Sequence, residues 1–229
     1  MKLSVVIPVY NEAGTVAELI ERVRAVGLPG IEKELIVVND GSSDGTREAL
    51  APFDRVDGVQ VHHSPVNLGK GASVRIGFAK ATGELVIIQD ADLELDPQDY
   101  LGLLQPIIDG QADVVYGSRF RGKGVQGKFT FWVANRALAV LTNTLWGSDL
   151  TDIETCYKVF RREALDRLTL RASRFEIEPE ITSQVLKQKL RVVEVPIRYQ
   201  PRGHEEGKKI SWRDGFSAVG MLLRQRFDN

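Results

Sequence analysis

Leu85-Val86-Ile87-Ile88-Gln89-Asp90-Ala91-Asp92-Leu93-Glu94 is the stretch from which the fold is read. Four apolar residues run into two carboxylates one residue apart, and a third follows at Glu94. A short apolar run bounded by turn residues has the character of a buried strand. Carboxylates crowded at such a strand's exit repel one another unless a cation neutralises them. Their hard oxygens suit Mg²⁺ or Mn²⁺, which keep open positions for substrate phosphates. A solvated acidic turn would look the same over three residues, so the flanking chain has to decide.

On either side of this stretch, strand-like and helix-like segments alternate. Leu3–Ile7, Glu34–Val38, Val59–His63, Leu85–Ile88 and Val114–Tyr116 read as strands rich in Val and Ile. Thr15–Val26, Thr46–Ala51, Lys70–Ala81 and Pro97–Ile108 read as the helices between them, with Pro97 suited to a first helical turn. Such alternation predicts an α/β fold: a Rossmann-like, mostly parallel sheet with helices on both faces. Ligands of these sheets bind outside the carboxyl ends of the strands. The polar residues collect in those loops: Pro8-Val9-Tyr10-Asn11-Glu12, then Asn39-Asp40-Gly41-Ser42-Ser43-Asp44-Gly45-Thr46, then Asp90, Asp92 and Glu94. In a parallel sheet the three loops converge on one edge, which an isolated acidic turn would not do.

Turn chemistry alone accounts for part of the second loop, where Ser43 or Asp44 could cap the next helix. The functional reading has Asp40 and Tyr10 holding a nucleobase with Glu12 near its ribose. Asn67-Leu68-Gly69-Lys70-Gly71 opens a helix, with glycines that permit close backbone approach and Lys70 for charge. It lacks the spacing of a P-loop and of a dinucleotide fingerprint. A pyrophosphate therefore needs another anchor, and the carboxylate cluster with its metal supplies one. The glycine-bearing loop from Arg119 to Gly127 is the segment most expected to move.

Composition narrows the classes. The 229 residues suffice for one large domain, 43% are hydrophobic, and the formal charge of -1 argues against a nucleic-acid binder. The charge is uneven: Leu186 to Asn229 carries 10 Lys/Arg against 5 Asp/Glu, whereas the remainder carries 20 against 26. The basic tail fits an anionic surface or ligand. The single Cys156 excludes an internal disulfide and reads as a packing residue in a reducing cytosol. His62, His63 and His204 share no metal-ligand spacing and are read as non-catalytic. The apolar run after Met1 is too short for a signal peptide, and no segment reaches bilayer-spanning length, so a soluble or peripheral protein is expected.

Two segments suggest a membrane surface. Phe129–Trp146 is apolar over most of its girth, with Asn135, Arg136, Thr142 and Asn143 forming one polar stripe. The tail puts Trp212, Phe216, Val219, Leu223 and Phe227 on one stripe and Arg213, Arg224 and Arg226 elsewhere. Packing on the domain is the commoner fate of the tail stripe. Both segments together favour contact with an anionic lipid interface.

The ordered motifs resemble the family 2 glycosyltransferases of the GT-A fold nearly end to end. They are P-x-Y-N-E at Pro8–Glu12, V-x-D-G-S-x-D-x-T at Val38–Thr46, N-x-G-K-G at Asn67–Gly71 and D-x-D at Asp90–Asp92. The downstream marks are similar to the polyprenyl-phosphate sugar synthases of the dolichyl-phosphate mannose synthase type. These are Gly117-Ser-Arg-Phe120, Asp152-x-Glu-Thr-Cys-Tyr-Lys158, Phe175-Glu-Ile-Glu-x-Glu180 and Arg202-x-x-x-Glu-Gly-Lys-Lys209. The resemblance implies that Pro8, Tyr10, Glu12, Asp40, Lys70 and Asp90 bind the nucleotide, and that Asp90, Asp92 and Glu94 hold Mg²⁺ or Mn²⁺ on its diphosphate. It assigns Arg119 to the acceptor phosphate, and Arg202, Lys208 and Lys209 to a basic loop that could close over phosphates. Glu94 stands where the mannose synthases usually carry Gln, which leaves the sugar and the base open.

The reading that results is an inverting transferase moving a hexosyl unit from a GDP-mannose or UDP-glucose type donor to a polyprenyl phosphate. Asp90, Asp92, Arg119 and Asp152 are its expected catalytic residues. Residues 1–200 would be the catalytic domain, and 201–229 a basic loop and amphipathic tail helix on that domain or on the membrane. Peripheral attachment to the cytosolic face and a membrane-anchored partner complete the expectation. A phosphate monoester, with its second pKa near ~6, needs no general base. Two rivals stand beside it. One is a transferase with a saccharide or other hydroxyl acceptor, for which Asp152 or Glu154 could serve as base. The other is an inactive nucleotide-sugar-binding subunit.

Overall fold

The apolar run Leu85–Ile88 is a strand, β4, with all four residues buried, and it lies against the first strand of the chain, β1 (Lys2–Val9). The computed structural model describes residues 1–121, 129–201 and 212–227. Seven strands form one sheet in the order β3-β2-β1-β4-β6-β5-β7. The others are β2 (Glu32–Asp40), β3 (Val59–Ser64), β5 (Val114–Ser118), β6 (Lys158–Arg161) and β7 (Val192–Pro196). All pair in parallel except β6, which runs antiparallel to both β4 and β5. The expected strands are present, some extended by a residue or more. Sequence reading did not anticipate β6 and β7, whose runs are short and interrupted by charge.

The helices follow the expected alternation: α1 (Val16–Ala25), α2 (Thr46–Leu50), α3 (Lys70–Lys80) and α4 (Tyr100–Ile108), the last entered through a 3₁₀ turn at Pro97–Asp99. Right-handed crossovers put α1 and α2 on one face and α3 and α4 on the other. The chain steps one way from β1 to β3 and the other way from β4 to β5, so the switch point lies between β1 and β4. The carboxyl ends of both strands, and of β2 beside them, open onto the crevice that this topology creates. Val5, Val6, Ile7, Ile36, Val37, Ile87 and Ile88 are fully buried, so the strands beneath the crevice form a rigid floor.

Three later helices form a second layer: α5 (Phe129–Trp146), α7 (Ile177–Lys187) and α8 (Trp212–Phe227), with a short α6 (Arg162–Leu165) after β6. Part of the polar stripe of α5 turns inward: Asn135 is 2% exposed, Thr142 fully buried and Asn143 half-buried, whereas Arg136, Val133 and Val140 face out. Thr142 donates to its own helix at Leu138, and Asn143 bonds the backbone of Leu150, so these polar groups cost little to bury. Of the large stripe of the tail helix, Phe216 and Phe227 are 72% and 73% exposed and Leu223 is also outside, whereas Val219 is partly buried against the core. Ala218 and Leu222, four apart and buried, are the side chains turned inward as α8 packs on α7 and α5. A small residue at the contact lets two helices approach closely, so the bulk of a stripe misjudges which face packs.

Candidate functional site

The loop after β1 is tied to the loop after β2. Asn11, at φ 51°, donates its N–H to Ser42 Oγ and accepts from the Ser43 N–H through its side-chain oxygen. The Glu12 N–H donates to Thr46 Oγ1, and Glu12 Oε2 accepts from the Thr15 hydroxyl. Pro8 is buried in the strand, and Tyr10 stands at the rim, 36% exposed. The turn residues Ser42, Ser43 and Thr46 thus stitch the expected nucleotide loops together.

Asp40, 2% exposed, accepts from the Leu68 N–H on one oxygen and from the Gly69 N–H on the other, each at 2.8 Å. Its carboxylate therefore anchors the loop before α3. The glycines of that loop make room for this chain itself. Gly69 has φ +96°, and a Cβ there would strike the Ser173 carbonyl; one on Gly71 would come within 2.6 Å of the Ala172 carbonyl. Ser173 O also accepts from the Ala72 N–H. The close backbone approach expected at these glycines is present, and what approaches them is residues 172–174 of this chain. Glu180 fixes that segment by accepting from the Arg171 and Ala172 amides.

Lys70 points from the start of α3 into the acidic loop. Its Nζ lies 2.9 Å from each oxygen of Asp90 and 3.1 Å from Glu178 Oε1. The contact with Asp90 Oδ2 has hydrogen-bond geometry, whereas that with Glu178 is an ion pair outside it. Burial opposes the Lys70 charge, but Asp90 and Glu178 outweigh it and raise its pKa well above the usual lysine value. The other Glu178 oxygen meets Lys158 Nζ at 2.5 Å, and Lys158, fully buried, also donates to the carbonyls of Ile153 and Thr155. Burial pushes the Cys156 thiol well above its ordinary value, with Asp90 adding to the effect. It is a packed, unreactive group.

Asp92 Oδ1 accepts from the Glu94 N–H across Leu93, which sits at φ 61°. Glu94 O accepts from the Gln200 N–H, and Leu95 forms a bridge with Tyr199, so the chain after β7 lies along the acidic loop. Burial, together with Glu94, pushes the Tyr199 hydroxyl up to about 12. Among the described residues no three His, Cys, Asp or Glu side chains stand where they could hold a metal ion. The hard oxygens of Asp90, Asp92 and Glu94 nevertheless fit an ion that takes one or two carboxylates and completes its shell from phosphates.

Arg119, leaving β5, meets Asp152 as a fork. Its Nε donates to Oδ2 at 2.7 Å and its Nη2 to Oδ1 at 2.8 Å, while its backbone N–H donates to Oδ2 at 3.1 Å. Asp152 is 0% exposed. The Arg119 guanidinium lies 5.4 Å from the Tyr199 ring, which connects it to the acidic loop. Burial opposes its charge, but Asp152 overrides this and raises its pKa. Beneath the pair, Glu194 of β7 accepts from the Thr151 and Asp152 amides and the Thr151 hydroxyl, and forms an ion pair with Arg121.

Glu154, two residues on, is half-buried, and its Oε1 is wholly buried without a hydrogen-bond partner. Burial and Glu178 push its carboxyl up to about 7, against Lys158 and Arg119, which pull it down. Sequence reading missed Glu178, Lys158, Glu194 and Tyr199. Glu178 and Lys158 lay within motifs quoted for the resemblance but had no role. Glu194, inside a short strand, gave no signal. Arg202, Lys208, Lys209, His204 and residues 122–127 of the glycine-bearing loop lie outside the described residues.

Three loops meet at the carboxyl edge of a mostly parallel sheet with acidic residues at the switch point, and the matches to known proteins make this α/β architecture the GT-A fold. The profile of Glycosyl transferase family 2 matches residues 4–169, and the chain belongs to that family. It is 32% identical over 216 residues to a dolichol-phosphate mannosyltransferase of Pyrococcus furiosus, covering 91% of this chain and 59% of the relative. It is 29% identical over 224 residues to the low-salt glycan biosynthesis hexosyltransferase Agl6 of Haloferax volcanii, covering 96% and 53%. The undecaprenyl-phosphate 4-deoxy-4-formamido-L-arabinose transferase of Edwardsiella ictaluri is 29% identical over 215 residues, covering 90% and 62%. The chain thus spans little more than half the length of these curated relatives. Among solved structures, glucosyl-3-phosphoglycerate synthase from Mycobacterium tuberculosis, in complex with Mn²⁺, UDP and phosphoglyceric acid, superposes with a TM-score of 0.75 at 23% identity. That match covers 99% of this chain and 78% of that one and supports the fold.

Proposed function

We propose that the protein transfers a hexosyl unit, with inversion, from a nucleotide-sugar to a polyprenyl phosphate. The observation that carries this reading is Arg119, a permanent cation fixed by a buried carboxylate and joined through Tyr199 to the acidic loop. A phosphate acceptor needs such a cation and no base. Two of the three relatives above carry a polyprenyl-phosphate acceptor in their names. Tyr10, Glu12 and the Asp40 loop would seat the nucleoside, with Pro8 beneath them. Mg²⁺ or Mn²⁺ held by one or two of the Asp90, Asp92 and Glu94 carboxylates would neutralise the departing nucleoside diphosphate. Arg202, Lys208 and Lys209 would add cations over the phosphates.

No helix among the described residues is long and apolar enough to cross a membrane. The outward Phe216, Leu223 and Phe227 of α8, with Arg224 and Arg226, support peripheral contact with an anionic surface on the cytosolic side, alone or beside a membrane-anchored partner. Residues 1–200 would then act as the catalytic domain, with 201–229 as its membrane-facing appendage.

A second reading has one specific observation in its favour. For a hydroxyl acceptor a base is required, and the Glu154 carboxyl, pushed up to about 7 with a buried unpartnered oxygen, has the property such a base needs. Asp152 is a poor base because Arg119 takes both its oxygens. Incubation with UDP- and GDP-sugars and Mn²⁺, offered polyprenyl phosphate or free saccharides, separates the two. Product on lipid phosphate alone supports the first reading, and product on saccharide alone overturns it.

A further inference from the structure

The four charges behind the acidic loop are balanced in a particular way. Asp90 and Glu178 supply two carboxylates; Lys70 and Lys158 supply two ammonium groups. Lys158 is fully buried and held by two carbonyls and Glu178, so it is fixed. Lys70 alone has a choice of partners, standing 2.9 Å from Asp90 and 3.1 Å from Glu178 on a side chain 14% exposed. A divalent cation on the Asp90 oxygens would sit within a few ångströms of that ammonium. Like charges at that distance in a partly dry site repel strongly, so a bare cation is disfavoured there.

A nucleoside diphosphate changes the balance. Its oxyanions offer the ammonium a new partner, and Glu178 remains as a tether while Asp90 is released. We infer that Lys70 is a built-in counter-ion that keeps a lone divalent cation off Asp90 and yields the carboxylate only when the cation arrives with a nucleoside diphosphate. Cation and nucleotide then enter together, and the open donor site does not hold loose metal. This rests on the donor half of the proposed function and is independent of the acceptor.

The test is direct binding of Mn²⁺, followed by the loss of the free-ion paramagnetic resonance signal, with no acceptor and no turnover. Wild-type protein should take up Mn²⁺ at least tenfold more tightly with saturating UDP or GDP than without, after correction for Mn²⁺ bound to free nucleotide. Lys70→Met should bind Mn²⁺ alone at least tenfold more tightly than wild type and should lose most of the nucleotide enhancement. Lys70→Arg, which keeps a cation beside Asp90, should bind Mn²⁺ alone as weakly as wild type. Circular dichroism establishes that each variant is folded. If Lys70→Met fails to fold, the wild-type comparison decides: equal Mn²⁺ affinity with and without either nucleotide overturns the inference. So does a folded Lys70→Met that binds Mn²⁺ no better than wild type. Absence of Mn²⁺ binding under every condition overturns the inference together with the metal reading, whereas failure of lipid-phosphate transfer leaves it standing.

Discussion

The proposed donor and acceptor sides of the site each hold a cation against a carboxylate, but in opposite ways. Lys70 is a compact point charge shared between Asp90, to which it donates a hydrogen bond, and Glu178, which it meets only as an ion pair. Arg119 is a planar fork whose Nε and Nη2 match the two oxygens of one buried carboxylate, Asp152. A shared point charge can be traded for another anion at little cost. A matched fork keeps its place and orientation. The difference suits a site in which the donor and its metal come and go while the acceptor is read by a fixed group.

The largest expected effect breaks the fork. Arg119→Ala leaves Asp152 charged and 0% exposed, which should cost about 3–5 kcal/mol of stability, measured by denaturant unfolding. In protein that remains folded, turnover with lipid phosphate should fall at least about tenfold while nucleotide-sugar affinity stays near wild type. A collapse of donor binding would assign Arg119 to the diphosphate and erase the contrast between the two sides.

Asp92→Asn probes the donor side with a smaller structural penalty, because the amide oxygen can still accept from the Glu94 N–H. Transfer should drop about 10²–10³-fold, the scale of losing one preorganised electrostatic group. The thermal midpoint should be unchanged, and full activity in excess chelator would remove the metal from the donor side altogether.

Glu154 sharpens the comparison through pH. Its folded-state pKa of about 7 lies above the unfolded glutamate value of about 4.3. The folded state therefore binds more protons in that window, and stability falls as pH rises from about 4 to about 7. Glu154→Gln should abolish this dependence and be more stable than wild type at pH 8 but not at pH 4. With lipid phosphate as acceptor, Glu154→Gln should retain transfer. Its loss there would move Glu154 from the rim of the acceptor side to its centre.

The smallest effect concerns the outer face of α8. Phe216→Ser and Phe227→Ser should each weaken sedimentation with anionic vesicles by about 1 kcal/mol, for a ring partly withdrawn from water. Binding should also fall as salt rises. Indifference of both variants and of wild type to anionic vesicles would detach the acceptor side from a lipid surface.

Much of this was legible before any coordinates. The β1, β2 and β4 loops announced themselves because each joins an apolar run to a cluster of polar turn residues, and parallel topology then forces them onto one edge. Lys70 and Arg119 followed from their places at a helix start and a strand exit. What stayed hidden depends on pairing across long sequence distances. Glu194 acts 42 and 43 residues from the amides it holds, and its strand is too short to alternate visibly. Glu178 stood without a role inside a quoted motif until Lys70 and Lys158 closed on it. Gly69 and Gly71 were read as permitting close backbone approach, but the segment that approaches them could not be named because it lies about a hundred residues away, at 172–174.

The reversed strand β6 also bears on how such a protein can diversify. Because β5 ends and β6 begins at the same rim of the sheet, the chain that leaves after Arg119 returns at Tyr157 to the rim from which it departed. Its returning part is anchored, since Ile153, Cys156 and Tyr157 are buried in the core, so lengthening belongs in its exposed stretches. Doubling its length would cost only about 0.6 kcal/mol of closure entropy and would leave the pairing of Tyr116 with Lys158 in register. Natural variation can therefore reshape the exposed stretches of that excursion while β1, β2 and β4, whose carboxyl ends open onto the crevice, keep their sequence and their geometry.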